Sequence, residues 1–237
     1  MAICQHGDVN ARQFARSLGA AVVTTWAALL NAPILLPSAS AAPCPDVEVT
    51  FARATNEPPG VGGVGNAFID SLRSQVGGRS IGVYPVNYPA TEDFAPSANA
   101  GATDANAHVQ SMVASCPNTK LVLGGNSQGA MVIDLITIAR GPIAGFVPAT
   151  LTADQADHVA AVAVFGNPTT RYLGGPISEI SPWYGAKAID LCAPGDPICS
   201  PGPLALPTHE ELFSPEHLSY VQSGMPSQAA TFVASHL

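Results

Sequence analysis

Residues 121–135 read LVLGGNSQGAMVIDL. An apolar run ends in two glycines, an apolar helical pattern starts just beyond, and one hydroxyl, Ser127, stands at the junction. GNSQG (125–129) fits the pattern G-x-S-x-G. It lies where a buried strand (KLVLGG, 120–125) stops and a helix (GAMVIDLITIA, 129–139) begins, which is the geometry of a nucleophile elbow. Glycines flank such a serine because its backbone turns sharply in a strained conformation, where neighbouring Cβ atoms would collide with strand and helix. The turn lifts the hydroxyl above the sheet and lets the N–H of Gln128 face a developing oxyanion. The plainer alternative is a serine-capped helix after a glycine turn.

Strand-like and helix-like segments alternate on both sides of this junction. VEVTFAR (47–53), IGVYPVNY (81–88), HVAAVAVFG (158–166) and KAIDLC (187–192) read as strands. NAFIDSLRSQV (66–76), residues 98–115 and residues 226–236 read as helices, with apolar side chains such as Phe68, Ile69, Leu72 and Val76 at helical spacing. This order predicts one α/β domain, a central, mainly parallel sheet with helices on both faces. The carboxyl ends of parallel strands share one edge, and ligands bind there.

The 237 residues are 47% apolar and 11% charged, with a net charge of −8. No basic stripe is present, so nucleic acid is not an expected partner, and an acidic surface disfavours polyanionic substrates. Residues 1–41 read as an export signal: Arg12 and Arg16, then LGAAVVTTWAALL, then NAPILLPSASA with small residues at Ala39 and Ala41. A retained anchor is the alternative, opposed by Asn31, Pro33 and Pro37, which interrupt the apolar run. The mature domain, 42–237, is expected outside the cytoplasm, secreted or associated with the cell wall, without stable membrane insertion, and monomeric. Four cysteines remain in it, Cys44, Cys116, Cys192 and Cys199, without the short spacings of a zinc knuckle. Cys44 and Cys116 each precede a strand, whereas Cys192 and Cys199 lie beyond a strand end. A crossed pairing would span about 20 Å of strand, against about 6 Å between bridged Cα atoms. The expected bridges are therefore Cys44–Cys116 and Cys192–Cys199.

GVGGVG (60–65) matches the dinucleotide fingerprint G-x-G-x-x-G, but Pro58 and Pro59 separate it from the strand and no acidic residue follows at the required distance. A glycine-rich surface loop is the better reading. Ser127 needs a base, and the base an acid to orient it. His108 lies inside a helix, His158 begins a strand at the far edge, and His236 is terminal. His209 and His217 both follow the last strand, and spacing does not separate them. Asp190 is inside a strand and structural, whereas Asp196 sits in CAPGDPIC (192–199), a loop closed by the expected bridge at the ligand edge. The order Ser, Asp, His is that of α/β-hydrolases.

VTFARATNEPPG (49–60), CPNTKLVLGGNSQGAMVID (116–134), CAPGDPIC (192–199) and HLSYVQSGM (217–225) together resemble the cutinase family, in particular its secreted esterases of mycobacterial type. The resemblance implies a small α/β-hydrolase fold with a five-stranded sheet and no large lid. It implies Ser127, Asp196 and His217 as catalytic residues, which leaves His209 as a loop residue. It also implies Thr55, beside the Gln128 N–H, as an oxyanion donor. Asn126 stands where the family usually has Tyr, and Ala54 where it often has Gly; a position requiring φ > 0 would make Ala54 a strained choice. The function implied is hydrolysis of carboxylic esters with short-to-medium acyl chains, without metal or cofactor. A phospholipase or thioesterase using the same triad, and a catalytically weak binding or antigenic protein, are the alternatives. SPGPLALP (200–207), with Ile177, Trp183 and Tyr184, is the expected wall for the acyl chain, with ordinary loop packing as the alternative reading.

Overall fold

The computed structural model describes residues 43–237, and the export signal expected over residues 1–41 lies outside the described residues. Five strands, β1 (Val47–Ala52), β2 (Ile81–Pro85), β3 (Lys120–Asn126), β4 (Val159–Phe165) and β5 (Ala188–Leu191), form one sheet in the order β2-β1-β3-β4-β5. All four pairings are parallel. Four helices, α1 (Gly62–Gln75), α2 (Phe94–Ser115), α3 (Gln128–Thr137) and α8 (Met225–Ala234), carry most of the packing. Four short ones, α4 (Ala153–His158), α5 (Thr169–Tyr172), α6 (Ile177–Ile180) and α7 (His209–Leu212), punctuate the connections.

The period-2 alternation of the strands divides the core. Val47, Val49 and Phe51 of β1 and Ala161, Ala163 and Phe165 of β4 face a layer built from α1 and α8. Leu121, Leu123, Val162 and Val164 face the opposite layer, built from α2 and α3. Phe51, Phe68 and Phe165 meet between the sheet and α1 with ring centroids 6.1–6.4 Å apart, within the range of favourable aromatic pairs. The strand order reverses between β1 and β3, so the chain leaves these neighbours toward opposite faces and opens a crevice at their carboxyl ends. The disulfides hold opposite edges. Cys44–Cys116 ties the entry of β1 to the end of α2, and Cys192–Cys199 closes the loop after β5.

Two local expectations are corrected. The glycine run 60–65 is not a surface loop throughout, because α1 begins at Gly62. Glu57 explains the early start: its Oε1 accepts the Gly63 N–H at 2.7 Å and its Oε2 accepts the Ala54 N–H at 2.7 Å. A carboxylate thus satisfies a helix terminus that would otherwise leave its amides open. It also takes the place that a pyrophosphate would need, against the dinucleotide reading. His158 ends α4 rather than opening a strand, and a Thr152–Gln155 capping box starts that helix.

Candidate active site

Ser127 follows β3 directly and precedes α3, with φ 57° and ψ −117°. A non-glycine residue holds such a conformation only when its surroundings impose it. The flanking glycines do so by necessity. A Cβ on Gly125 would stand 2.2 Å from the Gly129 carbonyl oxygen, and one on Gly129 would stand 2.0 Å from that of Ala52. Strand, turn and helix therefore pack at a distance that only glycine permits.

The serine hydroxyl meets His217, whose Nε2 lies 2.9 Å from Ser127 Oγ. On its other side Nδ1 is 3.0 Å from both Asp196 carboxylate oxygens. All three residues are buried. Asp196 is further held by the Ile198 N–H at 2.8 Å and by the Tyr220 hydroxyl at 2.5 Å. Burial alone would push its carboxyl up. The hydrogen bond and charge of His217, then Tyr220 and the Ile198 N–H, outweigh it and hold the pKa below the ordinary value. Tyr220 in turn accepts the Ala193 N–H at 3.0 Å, and its own pKa is raised by burial and by Asp196. Cys199 Sγ packs 3.2 Å from Asp196 Oδ2, so the short disulfide forms one wall of the carboxylate's cage. The sequence assigned no role to Tyr220; its position three residues after His217 was the available signal.

Thr55 lies in the loop after β1, beside the crevice, and its Oγ1 is buried without a hydrogen-bond partner. Gln128 opens α3, where a first-turn N–H has no intrahelical acceptor. The side chain of Gln128 braces the opposite rim, with Nε2 donating to the Thr91 carbonyl at 2.7 Å and Oε1 accepting from Ser97 at 2.9 Å. The Thr55 loop is fixed by Arg53, whose buried guanidinium donates to the carbonyls of Glu57 and Tyr88 at 2.8 and 2.7 Å. Ala54 does not have positive φ; Asn56 does, at 62°. Alanine at position 54 is therefore unstrained.

Two cavities open on Ser127. One is an apolar slot of about 30 Å³ between Phe94, Met131, Phe146, Tyr172 and Leu212. The other is a cleft of about 350 Å³ lined by Thr55, Glu57, Asn126, His217, Leu218 and Val221. Of the expected acyl wall, only Pro207 reaches the slot. Ile177 and Tyr184 are buried in the core, and Trp183 lines a separate cleft beside Arg140 and Ile143.

The remaining histidines lie elsewhere. His108 pairs with Glu48 at the amino end of β1, His209 is exposed 3.6 Å from Glu92, and His236 contacts the Phe232 carbonyl. Asp190 accepts the N–H groups of Ile177 and Ser178, the opening of α6. Among the described residues no cluster of metal-ligating side chains occurs, and no helix is long and apolar enough to cross a membrane.

A family model described as Cutinase matches residues 43–237. Carboxylesterase Culp1 of Mycobacterium tuberculosis (strain ATCC 25618 / H37Rv) is 52% identical over 231 residues, covering 95% of this chain and 97% of that protein. Phospholipase Culp4 of the same strain is 51% identical over 226 residues, covering 94% and 93%. Among solved structures, Trichoderma reesei cutinase in complex with a C11Y4 phosphonate inhibitor aligns with a TM-score of 0.64 at 35% identity, covering 82% of this chain and 77% of that one.

Proposed function

The chain belongs to the cutinase family and is a carboxylic ester hydrolase, and from that premise we propose that it is secreted and works through Ser127, His217 and Asp196 by way of an acyl-enzyme. The observation that carries this reading is the continuous path from Ser127 Oγ through His217 to Asp196, with contacts of 2.9 and 3.0 Å at a strained elbow. Asp196 accepts the Nδ1 proton of neutral His217, which leaves Nε2 free to take the proton of Ser127. Ser127 Oγ then bonds to the ester carbon, and the carbonyl electron pair moves onto oxygen. The Gln128 N–H at the start of α3 and the Thr55 hydroxyl, whose Oγ1 has no partner in the resting protein, stabilise that oxyanion. When the pair returns, the bond to the alcohol oxygen breaks and His217 Nε2 gives that oxygen its proton. Water, deprotonated by His217, releases the acid and restores Ser127.

The slot beside Ser127 is about 30 Å³, the share of one water molecule, so an acyl chain enters by displacing the side chains that line it, and a short-to-medium chain displaces fewer than a long one. Hydrolysis of p-nitrophenyl esters from acetyl to palmitoyl tests both parts of the proposal. Turnover should peak among the shorter chains and fall by at least ~10⁴-fold in Ser127→Ala. Equal turnover by the folded variant would reject Ser127 as nucleophile. Export is tested separately, by the presence of a chain starting near residue 42 in the culture medium or cell wall.

A further inference from the structure

The apolar slot at Ser127 and the separate cleft beside Trp183 share three walls. Along α3, Met131 lines the slot and Ile138, which caps the helix, lines the cleft. Ile138 follows Met131 by seven residues, so the two stand on one helix face about 10 Å apart. Between α3 and α4, Phe146 lines the slot, and Ile143, bridged to it, lines the cleft. Around α5, Pro168 before the helix lines the slot and Leu173 after it lines the cleft. The two cavities therefore lie end to end. Of their described lining residues one is common to both, Tyr172.

Tyr172 is held like a partition. It is 6% exposed, its ring meets Phe146 edge-on with centroids 5.6 Å apart, and its hydroxyl donates to the Ala205 carbonyl at 2.7 Å. The spaces on its two sides are unequal, about 30 Å³ in the slot and about 830 Å³ in the cleft. The cleft offers an alkyl chain apolar walls in Ile138, Ile143, Leu173, Ile180 and Trp183. Its hydroxyls are already engaged: Thr137 Oγ1 donates to the Ile133 carbonyl, Thr150 Oγ1 donates to the Ala139 carbonyl, and Ser181 Oγ accepts the Tyr184 N–H. Arg140 is exposed and keeps its charge in water.

We propose that Tyr172 determines specificity for acyl-chain length. Its side chain separates the slot at Ser127 from the cleft, and the cleft is the space a long acyl chain enters once that side chain is removed. The inference rests on the esterase reading and assigns the chain-length limit of that reading to one residue. Only the far end of the chain is affected, so no step is added to the reaction at Ser127.

The test is Tyr172→Ala, assayed on p-nitrophenyl butyrate and p-nitrophenyl laurate. The laurate-to-butyrate ratio of kcat/KM should rise by at least ~10-fold over wild type, which two further buried methylenes would supply. Tyr172→Leu keeps an apolar side chain in the core, should move the ratio in the same direction, and serves if the alanine variant does not fold. Trp183 locates the chain, because it is the single tryptophan of residues 42–237 and is 53% exposed in the cleft. O-ethyl O-(4-nitrophenyl) dodecylphosphonate attaches its phosphorus to Ser127 Oγ and releases p-nitrophenolate. In the Tyr172 variant this probe should shift Trp183 emission to shorter wavelength, whereas it should not in wild type, and the butyl homologue should do so in neither. Met131→Ala, at a residue that lines the slot alone, enlarges the slot without joining the cavities and should leave the emission unmoved by either probe. An unchanged ratio in the folded Tyr172 variants would overturn the inference. So would an equal gain in Met131→Ala, or a raised ratio to which Trp183 is blind. The two levels separate on wild type: no turnover of either ester defeats the esterase reading, whereas turnover of butyrate without a gain in the variants defeats only the length assignment.

Discussion

At the scale of single residues, Tyr220 holds the proposed catalytic cluster of Ser127, His217 and Asp196 in place. Its hydroxyl donates to Asp196 Oδ2 and accepts the Ala193 N–H, tying the carboxylate to the end of β5. Tyr220→Phe keeps the ring and removes the donor. A hydrogen bond to a charged group contributes about 1.5–3 kcal/mol, and kcat on p-nitrophenyl butyrate should fall by about 10-fold or more while KM changes little. A pH effect accompanies it. The folded pKa of Asp196 is depressed, so its stabilisation is present above the unfolded value and is lost as pH falls through the folded one. Without Tyr220 the folded value moves up, and the acid-side loss of thermal stability should begin at a higher pH. A variant with unchanged kcat and an unchanged acid limb would show that Tyr220 only fills space. Ser127 was legible in the sequence because Gly125 and Gly129 are forced by contact distance, and forced residues leave a pattern. Tyr220 was not, because its partner lies 24 residues earlier and only the fold brings them together.

At the scale of elements, α3 is anchored at its far side by a buried carboxyl. Asp134 accepts from Asn167 Nδ2 at 3.1 Å and lies 2.6 Å from Thr169 Oγ1, linking α3 to α5 and, through Asn167, to Asp190 of β5. Burial raises its pKa well above the ordinary carboxylate value, against the hydrogen bonds of Thr169 and Asn167, and Asp190 adds to the rise. The unfolded chain therefore gives up this proton at a lower pH than the folded one. The contribution is fully present below the unfolded pKa, about 3.9, and is lost as pH rises toward the folded value. Asp134→Asn keeps the shape and carries no charge at any pH. Its thermal midpoint relative to wild type should rise between pH 4 and pH 8, and a constant difference would mean that Asp134 is ionised in the folded state. The long elements were legible through their apolar patterns: a period of 2 in β1 and of 3.6 in α1 reports the layers directly, while the continuous apolar runs of β4 and α3 report burial on every side. The first turn of α1 and the whole of α4 were not. Their starts are set by Glu57 and Thr152, caps that stand outside the apolar pattern.

At the scale of the whole molecule, a parallel sheet sends the loops that carry Ser127, Asp196 and His217 to one edge, and the reversal of strand order at β1 and β3 sets the Thr55 loop beside Ser127. The common edge follows from the alternation of strands and helices alone, whereas the place of the reversal comes from the strand pairing. The depth of the apolar slot is not legible either, because Phe94 opens α2, Phe146 lies between α3 and α4, and Leu212 ends α7, and no local pattern records their packing. The disulfides divide stability and activity between the two edges. Cys44–Cys116 spans 72 residues, and loop-closure entropy gives it about 4.4 kcal/mol, against about 2.5 kcal/mol for a loop as short as that of Cys192–Cys199. The long bridge lies at the amino ends of the strands, away from Ser127, whereas the short one touches the Asp196 carboxylate. Replacing both cysteines of one bridge by alanine should therefore give opposite profiles. Loss of Cys44–Cys116 should lower the urea midpoint more, while the folded fraction keeps its kcat within about 2-fold, as expected when a constraint acts on the unfolded chain. Loss of Cys192–Cys199 should lower the midpoint less and kcat by about 10-fold or more, because Asp196 would lose one wall of its cage and with it the fixed orientation of His217. Equal losses of kcat in the two variants would mean that the short loop is held by Tyr220 and Ile198 alone, and that its disulfide contributes only to stability.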